Sequence, residues 1–142
     1  MAGALSLAVP AAMGYDAWAW MVWGRELAHL DLATTGGPSF KPLPVIVVAP
    51  LSVLGGIAPA VWLAGMRACA VASLLLAYRL GARLAGPSAG AVAAIGLALS
   101  ADLYRTALLG SAEPALIALT LGAVDRQLDG RRDWALVLIA VA

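Results

Sequence analysis

Long apolar segments separated by short polar stretches restrict the fold of this chain more than any other feature. Residues 60–84 are almost continuously apolar, and a helix of about 20 residues is long enough to cross the hydrocarbon core of a bilayer. Only 12% of the 142 residues are charged, whereas soluble domains average about 25%. Together with a mean hydropathy of +0.92, this pattern predicts an all-α, polytopic transmembrane helix bundle.

Breaks in the apolar pattern divide the chain into seven predicted helical segments of one transmembrane domain. Glycine and proline pairs such as Gly55-Gly56 and Gly86-Pro87 mark turns between them. The predicted segments cover residues 1–14, 15–30, 43–55, 60–84, 88–103, 111–128 and 134–142. Residues 43–55 are few for a full span, so a re-entrant and a spanning course both remain open. The last segment is only a partial span, and we expect the chain to be the N-terminal part of a larger domain, truncated at its C-terminus.

Asp16 is the first candidate functional residue, because a carboxylate is costly in or near a bilayer. It begins a tryptophan-rich segment, residues 15–30, in which Trp20 and Trp23 fall on its helical face. Tryptophan favours the headgroup level of a membrane. We therefore predict that residues 15–30 form an interfacial, juxtamembrane helix; the alternative is the polar end of an ordinary spanning helix.

The arginines predict an orientation, because basic residues in short loops mark the cytoplasmic side of a membrane. Two predicted helices separate Arg79 and Arg83 from the basic residues of the polar segment 125–133. Both clusters therefore fall on one side, the predicted cytoplasmic side, where residues 125–133 are expected to form a solvated loop. Provided that residues 43–55 do not cross, the candidates that face outwards include Asp16, Lys41 and Glu113.

Two acidic and four basic residues are candidates for a site on the external side. A partly buried carboxylate can act as a general base or help to hold a divalent metal, so Asp16 and Glu113 are catalytic candidates and Asp16 is a candidate metal ligand. Phosphate binding needs cations, and the candidates are Lys41, Arg67, Arg25 and Arg105. A lipid-linked phosphate suits such a surface, because its tail would lie in the bilayer. For Arg25 and Arg105, contact with lipid headgroups is an equally good interpretation.

Four short motifs follow one another along the chain. They are Tyr15-Asp16, Phe40-Lys41-Pro42-Leu43-Pro44, Met66-Arg67 opening a long helix that ends in Tyr78-Arg79-Leu80-Gly81-Ala82-Arg83, and Glu113-Pro114. In this order they resemble the N-terminal part of the GT-C superfamily, polytopic glycosyltransferases of the aminoarabinose transferase and protein mannosyltransferase types. The resemblance implies transfer of a sugar from a polyprenyl-phosphate donor to an acceptor on the extracytoplasmic face. It also implies that Asp16 deprotonates the acceptor or aids a metal, that Lys41 contacts the donor phosphate, and that Glu113 is the second acidic residue of the catalytic cavity.

Two other functions remain open at this stage. One is a transporter or lipid-handling protein that uses Arg67 and the acidic residues as substrate contacts, and the other is a non-catalytic, truncated membrane subunit. If the protein is an enzyme, we expect activity from its full length rather than from this portion alone. The expected partners are a lipid-linked sugar phosphate and membrane lipids, but not nucleic acid, because the net charge is only +1. Alanine, glycine, leucine and valine dominate the composition and arginine far outnumbers lysine, a bias that indicates a GC-rich bacterial genome, so the expected location is a bacterial cytoplasmic membrane.

Overall fold

A computed structural model describes residues 12–141, and within this range the chain is helical, with no β-strand. The helices are α1 (Tyr15–Ala28), α2 (Pro42–Val48), α3 (Ala58–Ala85), α4 (Pro87–Ala98), α5 (Ala101–Leu109), α6 (Glu113–Leu128) and α7 (Arg132–Val141), and a 3₁₀ segment, Ala49–Ile57, joins α2 to α3. The all-α class predicted from the sequence is confirmed. The helix predicted over residues 1–14 lies almost entirely outside the described residues.

One helical segment of the described chain, Pro42–Ala85, is long and apolar enough to cross a membrane, with a mean hydropathy of 2.1 in its most apolar window. It includes a kink at Gly55, whose φ of 55° and ψ of −127° are not helical. Helices α4 and α5 reach the length of a span only as one pair bent by 56°. Only 22% of the apolar window is buried within the protein, so its surface is suited to an apolar environment. Further crossings of the membrane by other helices stay a prediction.

The helix predicted over residues 88–103 is wrong in one respect, because the structure divides it into α4 and α5. Ser100 between them is extended, with φ −68° and ψ 112°. Its side-chain oxygen accepts a hydrogen bond from the backbone N–H of Leu103 at 3.4 Å, as expected for a residue that caps a helix N-terminus. The apolar composition on both sides of Ser100 conceals this break in the sequence.

Helices α3 and α4 pack closely because two glycines face each other. A Cβ atom at Gly90 would lie 2.5 Å from the Tyr78 carbonyl oxygen, and one at Gly81 would lie 2.9 Å from the Ala89 carbonyl oxygen. The hairpin turns at Gly86, whose φ of 91° is one that other residues rarely adopt. Small residues at such contacts allow two helix backbones to approach.

Ion pairs join the C-terminal ends of α3 and α6. The Asp125 carboxylate is buried and accepts hydrogen bonds from Arg79 Nε at 3.0 Å and from Arg83 Nη1 at 2.6 Å. Arg83 Nη2 also donates to Asp129 Oδ1 at 2.7 Å. We call these four residues the ion-pair cluster. The prediction that residues 125–133 form a solvated loop is wrong in part: residues 129–131 are an exposed turn, but Asp125 lies in the last turn of α6 and is buried, where two arginines compensate its charge.

The ion-pair cluster fixes α6 parallel to α3. Near the other end of α6, the buried Ser73 hydroxyl, which donates to the Cys69 carbonyl oxygen at 2.9 Å, also lies 3.3 Å from the Pro114 carbonyl oxygen. Ser73 is about 22 Å along α3 from Ala58, at 1.5 Å per residue. Helix α6 therefore begins near the middle of α3 and ends beside its C-terminus.

Both arginine clusters lie at this shared end, as the sequence predicted. Arg79 and Arg83 contact the last turns of α6, and Arg126 belongs to its last turn. The hydrogen bond from Arg83, with the positive field of Arg79 and Arg126, lowers the pKa of the Asp129 carboxyl below its usual range. The side of a membrane that this end faces remains a prediction.

The glycine contact predicts that Gly90→Ala weakens the hairpin. Because its Cβ would meet backbone atoms of α3, we expect a loss of about 1–3 kcal/mol in the free energy of unfolding. Gly96→Ala on the same helix is the matched control, since no atom lies within 4 Å of the added Cβ. Denaturation in detergent, followed by circular dichroism, measures both. Equal stabilities of the two variants would contradict the close contact.

The ion-pair cluster predicts that Asp125→Asn destabilises the protein by about 2 kcal/mol, because two arginines lose a charged acceptor. The control is Asp133→Asn, which removes the same charge from an exposed position in the first turn of α7. That change should cost less than about 1 kcal/mol. The same denaturation measurement compares them, and an equal loss from both would mean that Asp125 contributes no more than a surface charge.

Candidate functional site

Trp20 is the centre of the candidate site. Its side chain, 1% exposed, belongs to a buried cluster with Trp62, Val45, Val48 and Met66, and its ring makes an edge-on contact with Trp62 at 6.0 Å between centroids. Trp23 is buried as well, 2% exposed. Both indoles pack inside the protein, so neither ring is open to lipid headgroups, and the depth of α1 relative to a membrane stays a prediction. The side of α1 that carries Asp16 and the two tryptophans is thus the side that faces the interior.

Lys41 lies over the Trp20 ring, with its Nζ atom 5.7 Å from the ring centroid. A cation at this distance is attracted to the electron-rich face of an indole. Asp16 is one helical turn before Trp20 on the same face of α1 and is half-buried. Asp16 and Lys41 are thus each related to Trp20, Asp16 by its position on the same face of α1 and Lys41 by its contact with the ring.

The loop that precedes Lys41 is held by Trp23. The Trp23 indole N–H donates to the Ala33 carbonyl oxygen at 3.1 Å, and the ring meets Phe40 edge-on at 5.5 Å. A Cβ atom at Gly37 would lie 2.6 Å from Trp23 Cζ2, so the loop can pass over the indole only with glycine there. Trp23 thus sets the path by which the chain returns to place Lys41 above Trp20.

Two hydrogen bonds hold the turn before Glu113, one from the start of α1 and one from α3. The Gly14 backbone N–H donates to the Leu109 carbonyl oxygen at 2.8 Å, and the Trp62 indole N–H donates to the Gly110 carbonyl oxygen at 2.7 Å. Asp16 follows Gly14 by two residues, and Glu113 follows Leu109 by four. The two acidic candidates therefore lie at the same end of the described fold, Glu113 exposed in the first turn of α6.

The remaining predicted cations differ in their relation to this cluster. Arg67 is buried on α3, directly after Met66 of the tryptophan cluster. Arg25 is exposed in the last turn of α1, about 13 Å along the helix from Asp16. Arg105 is exposed on α5, and no described contact joins it to Trp20 or Lys41. Arg67 thus follows a residue of the cluster along the chain, whereas Arg25 and Arg105 are exposed.

Metal-binding chemistry has limited support in this part of the chain. Within residues 12–141, no group of three or more His, Cys, Asp or Glu side chains could hold a metal ion. Asp16 as a metal ligand therefore stays a prediction, and no step of the proposed chemistry depends on it.

The buried donor of Trp20 is the feature that sequence reasoning missed. Its indole N–H is buried and has no hydrogen-bond acceptor among the described residues. Buried polar groups are normally hydrogen-bonded, so this donor stands out among the polar groups of the described core. A tryptophan one turn after Asp16 was visible in the sequence, but nothing in the pattern separated a core indole from an interfacial one.

Comparison with known proteins gives no further guide, because no family model, curated protein or solved structure matches this chain.

The loop geometry predicts that Gly37→Ala releases Lys41. An added methyl group would collide with the buried Trp23 ring, so the loop must move and the cation must leave the face of Trp20. Lys41 is the sole lysine of the chain, so its acylation by an amine reagent is readily followed by peptide mass spectrometry. We expect the rate to rise about two- to fivefold, as loss of a half-exposed cation–π contact implies. Gly36→Ala, which has open space around it, should react like the wild type; equal rates in both variants would contradict the role of Trp23.

Proposed function

We propose that this protein is a membrane glycosyltransferase, of the GT-C type, that transfers a sugar from a polyprenyl-phosphate donor to an acceptor on the extracytoplasmic face of a bacterial membrane. The observation that carries the proposal is the arrangement around Trp20. Lys41 lies over the Trp20 ring, and the indole N–H of that ring is buried without a described acceptor. A half-buried carboxylate, Asp16, lies one turn before Trp20 on α1. The Lys41 ammonium and the Trp20 indole N–H can both donate hydrogen bonds to a phosphate, and the Asp16 carboxylate can accept a proton.

The proposed chemistry assigns a separate task to each group. Asp16 accepts the proton of the acceptor hydroxyl, whose oxygen forms a bond to the anomeric carbon of the donor sugar. The bond from that carbon to the phosphate oxygen breaks, and polyprenyl phosphate leaves with the electron pair. Lys41 stabilises the negative charge on the leaving phosphate, with Arg67 as a further cation on α3. Glu113 supplies a second carboxylate at the same end, where it can hydrogen-bond to the sugar or acceptor.

The exposed apolar surface of the described helices supports a membrane setting for this chemistry. Large apolar side chains are exposed on most helices, and a soluble protein rarely leaves so much apolar surface in water. The lipid tail of the donor would lie along such a surface while its phosphate reaches the Trp20 cluster.

A second function, transport or lipid handling, is favoured by the broken helices. Helices α4 and α5 bend by 56°, and α6 begins near the middle of α3. Transporters commonly place their substrates at helix breaks near mid-membrane depth. A lipid-handling protein would move the lipid phosphate between leaflets without breaking its bond to the sugar.

The transferase proposal predicts that Asp16→Asn lowers the turnover number by about 10²–10⁴, because the variant keeps the shape but loses the general base. Sugar transfer from a radiolabelled polyprenyl-phosphate donor, in membranes from cells that express the protein, measures this. Asp102→Asn is the control, since Asp102 is exposed in the first turn of α5. Lys41→Gln should mainly raise the donor concentration needed for half-maximal rate.

Two outcomes would reject the transferase proposal. Unchanged turnover in Asp16→Asn would remove the base. Movement of the labelled donor between leaflets of proteoliposomes, with the sugar still attached and no transfer to any acceptor, would favour the lipid-handling function instead.

A further inference from the structure

A cavity of about 410 Å³ lies at the arginine-rich end, away from the Trp20 cluster. Its lining residues are Arg126, Arg131, Trp134 and Leu138, from the last turn of α6, the following turn and the first part of α7. This volume lies within the range of about 300–1,000 Å³ for small-molecule sites. The cavity thus has a cationic half and an apolar half.

The two cavity arginines differ from those of the ion-pair cluster. Arg79 and Arg83 are bound to Asp125 and Asp129. Neither the Arg126 nor the Arg131 side chain forms a hydrogen bond or ion pair with any residue in the range 12–141. Across this end of the fold, five arginines face three aspartates, which leaves a surplus of two positive charges.

The apolar half of the cavity needs a ligand that covers it from water. Trp134 is 63% exposed, and apolar side chains continue on the same side of α7 at Val137 and Val141, which are 52% and 41% exposed. A soluble phosphate would use only the arginines and would leave this surface in water. A phospholipid satisfies both halves, with its phosphate at the arginines, its glycerol beside the indole, and an acyl chain along α7.

We infer that this cavity binds the headgroup of an anionic phospholipid, such as phosphatidylglycerol, in the leaflet opposite the proposed catalytic site. Basic pockets at the cytoplasmic end of membrane helices are suited to such lipids. The inference rests on the membrane insertion contained in the proposed function, but not on the transferase chemistry. An Asp16→Asn protein should therefore bind the lipid as the wild type does.

Quenching of tryptophan fluorescence tests the site. The full chain is reconstituted in vesicles of phosphatidylcholine that contain increasing fractions of phosphatidylglycerol brominated on its acyl chains. Comparison with Trp134→Phe isolates the signal of Trp134 from those of the other four tryptophans. We expect half-maximal quenching of Trp134 at a fraction at least about tenfold lower than with brominated phosphatidylcholine.

Matched single substitutions separate a site from general surface attraction. Arg126→Gln and Arg131→Gln each remove one charge that lines the cavity, and Arg132→Gln removes one charge that does not. Each cavity variant should need about fivefold or more additional brominated phosphatidylglycerol for half-maximal quenching, and clearly more than Arg132→Gln. Since the two cavity variants alter different elements, misfolding of one leaves the other as a test.

Three results would overturn the inference. The first is an equal effect of all three arginine substitutions, which indicates attraction to the membrane surface only. The second is equal quenching by the brominated phosphatidylcholine, which indicates no headgroup preference. The third is relief of quenching by millimolar glycerol phosphate in solution, which indicates a soluble phosphate as the ligand.

Discussion

The buried carboxylate of Asp125 determines the arrangement on which the rest of the described fold depends. A charge with so little contact with water is stable only if it is compensated, and two arginines from α3 provide this. The requirement fixes both the parallel direction of α6 and its position along α3. Because α6 is anchored at its C-terminus and is shorter than α3, its N-terminus lies near the middle of α3. The position of Glu113 is therefore a consequence of ion pairs at the far end of its helix.

At the other end, aromatic packing replaces ion pairing. Trp23 holds the loop, the loop places Lys41 over Trp20, and Trp62 contacts both Trp20 and the Gly110 carbonyl oxygen before α6. A rigid indole fixes direction with few rotatable bonds, so the three tryptophans position the polar groups around them. The cost is one buried indole N–H without a described acceptor.

The sequence predicted the long features of the fold and missed those that depend on tertiary partners. Apolar length gave the all-α class, and the glycine–proline turn at residues 86–87 separated α3 from α4 as expected. The break at Ser100 was missed, because one serine in an apolar run has little weight against the hydrophobic pattern. The burial of Asp125 was also missed, although the arginine pair and the aspartate pair each have a spacing of four residues. That spacing places both charges of each pair on one helix face, and two such faces of opposite sign were a signal for contact.

The candidate site shows the same limit more sharply. Asp16 and Lys41 were identified separately, from the cost of a carboxylate near a bilayer and from a lysine between prolines. The placement of Lys41 over Trp20 depends on Trp23 and Gly37, which the sequence presents only as an interfacial residue and a loop glycine. Composition alone does not distinguish an indole that favours lipid headgroups from one that packs in a core. The distinction depends on which residues surround the indole in space. Charged candidates such as Asp16 and Lys41 are thus easier to find in a sequence than the aromatic residues that hold the surrounding chain in place.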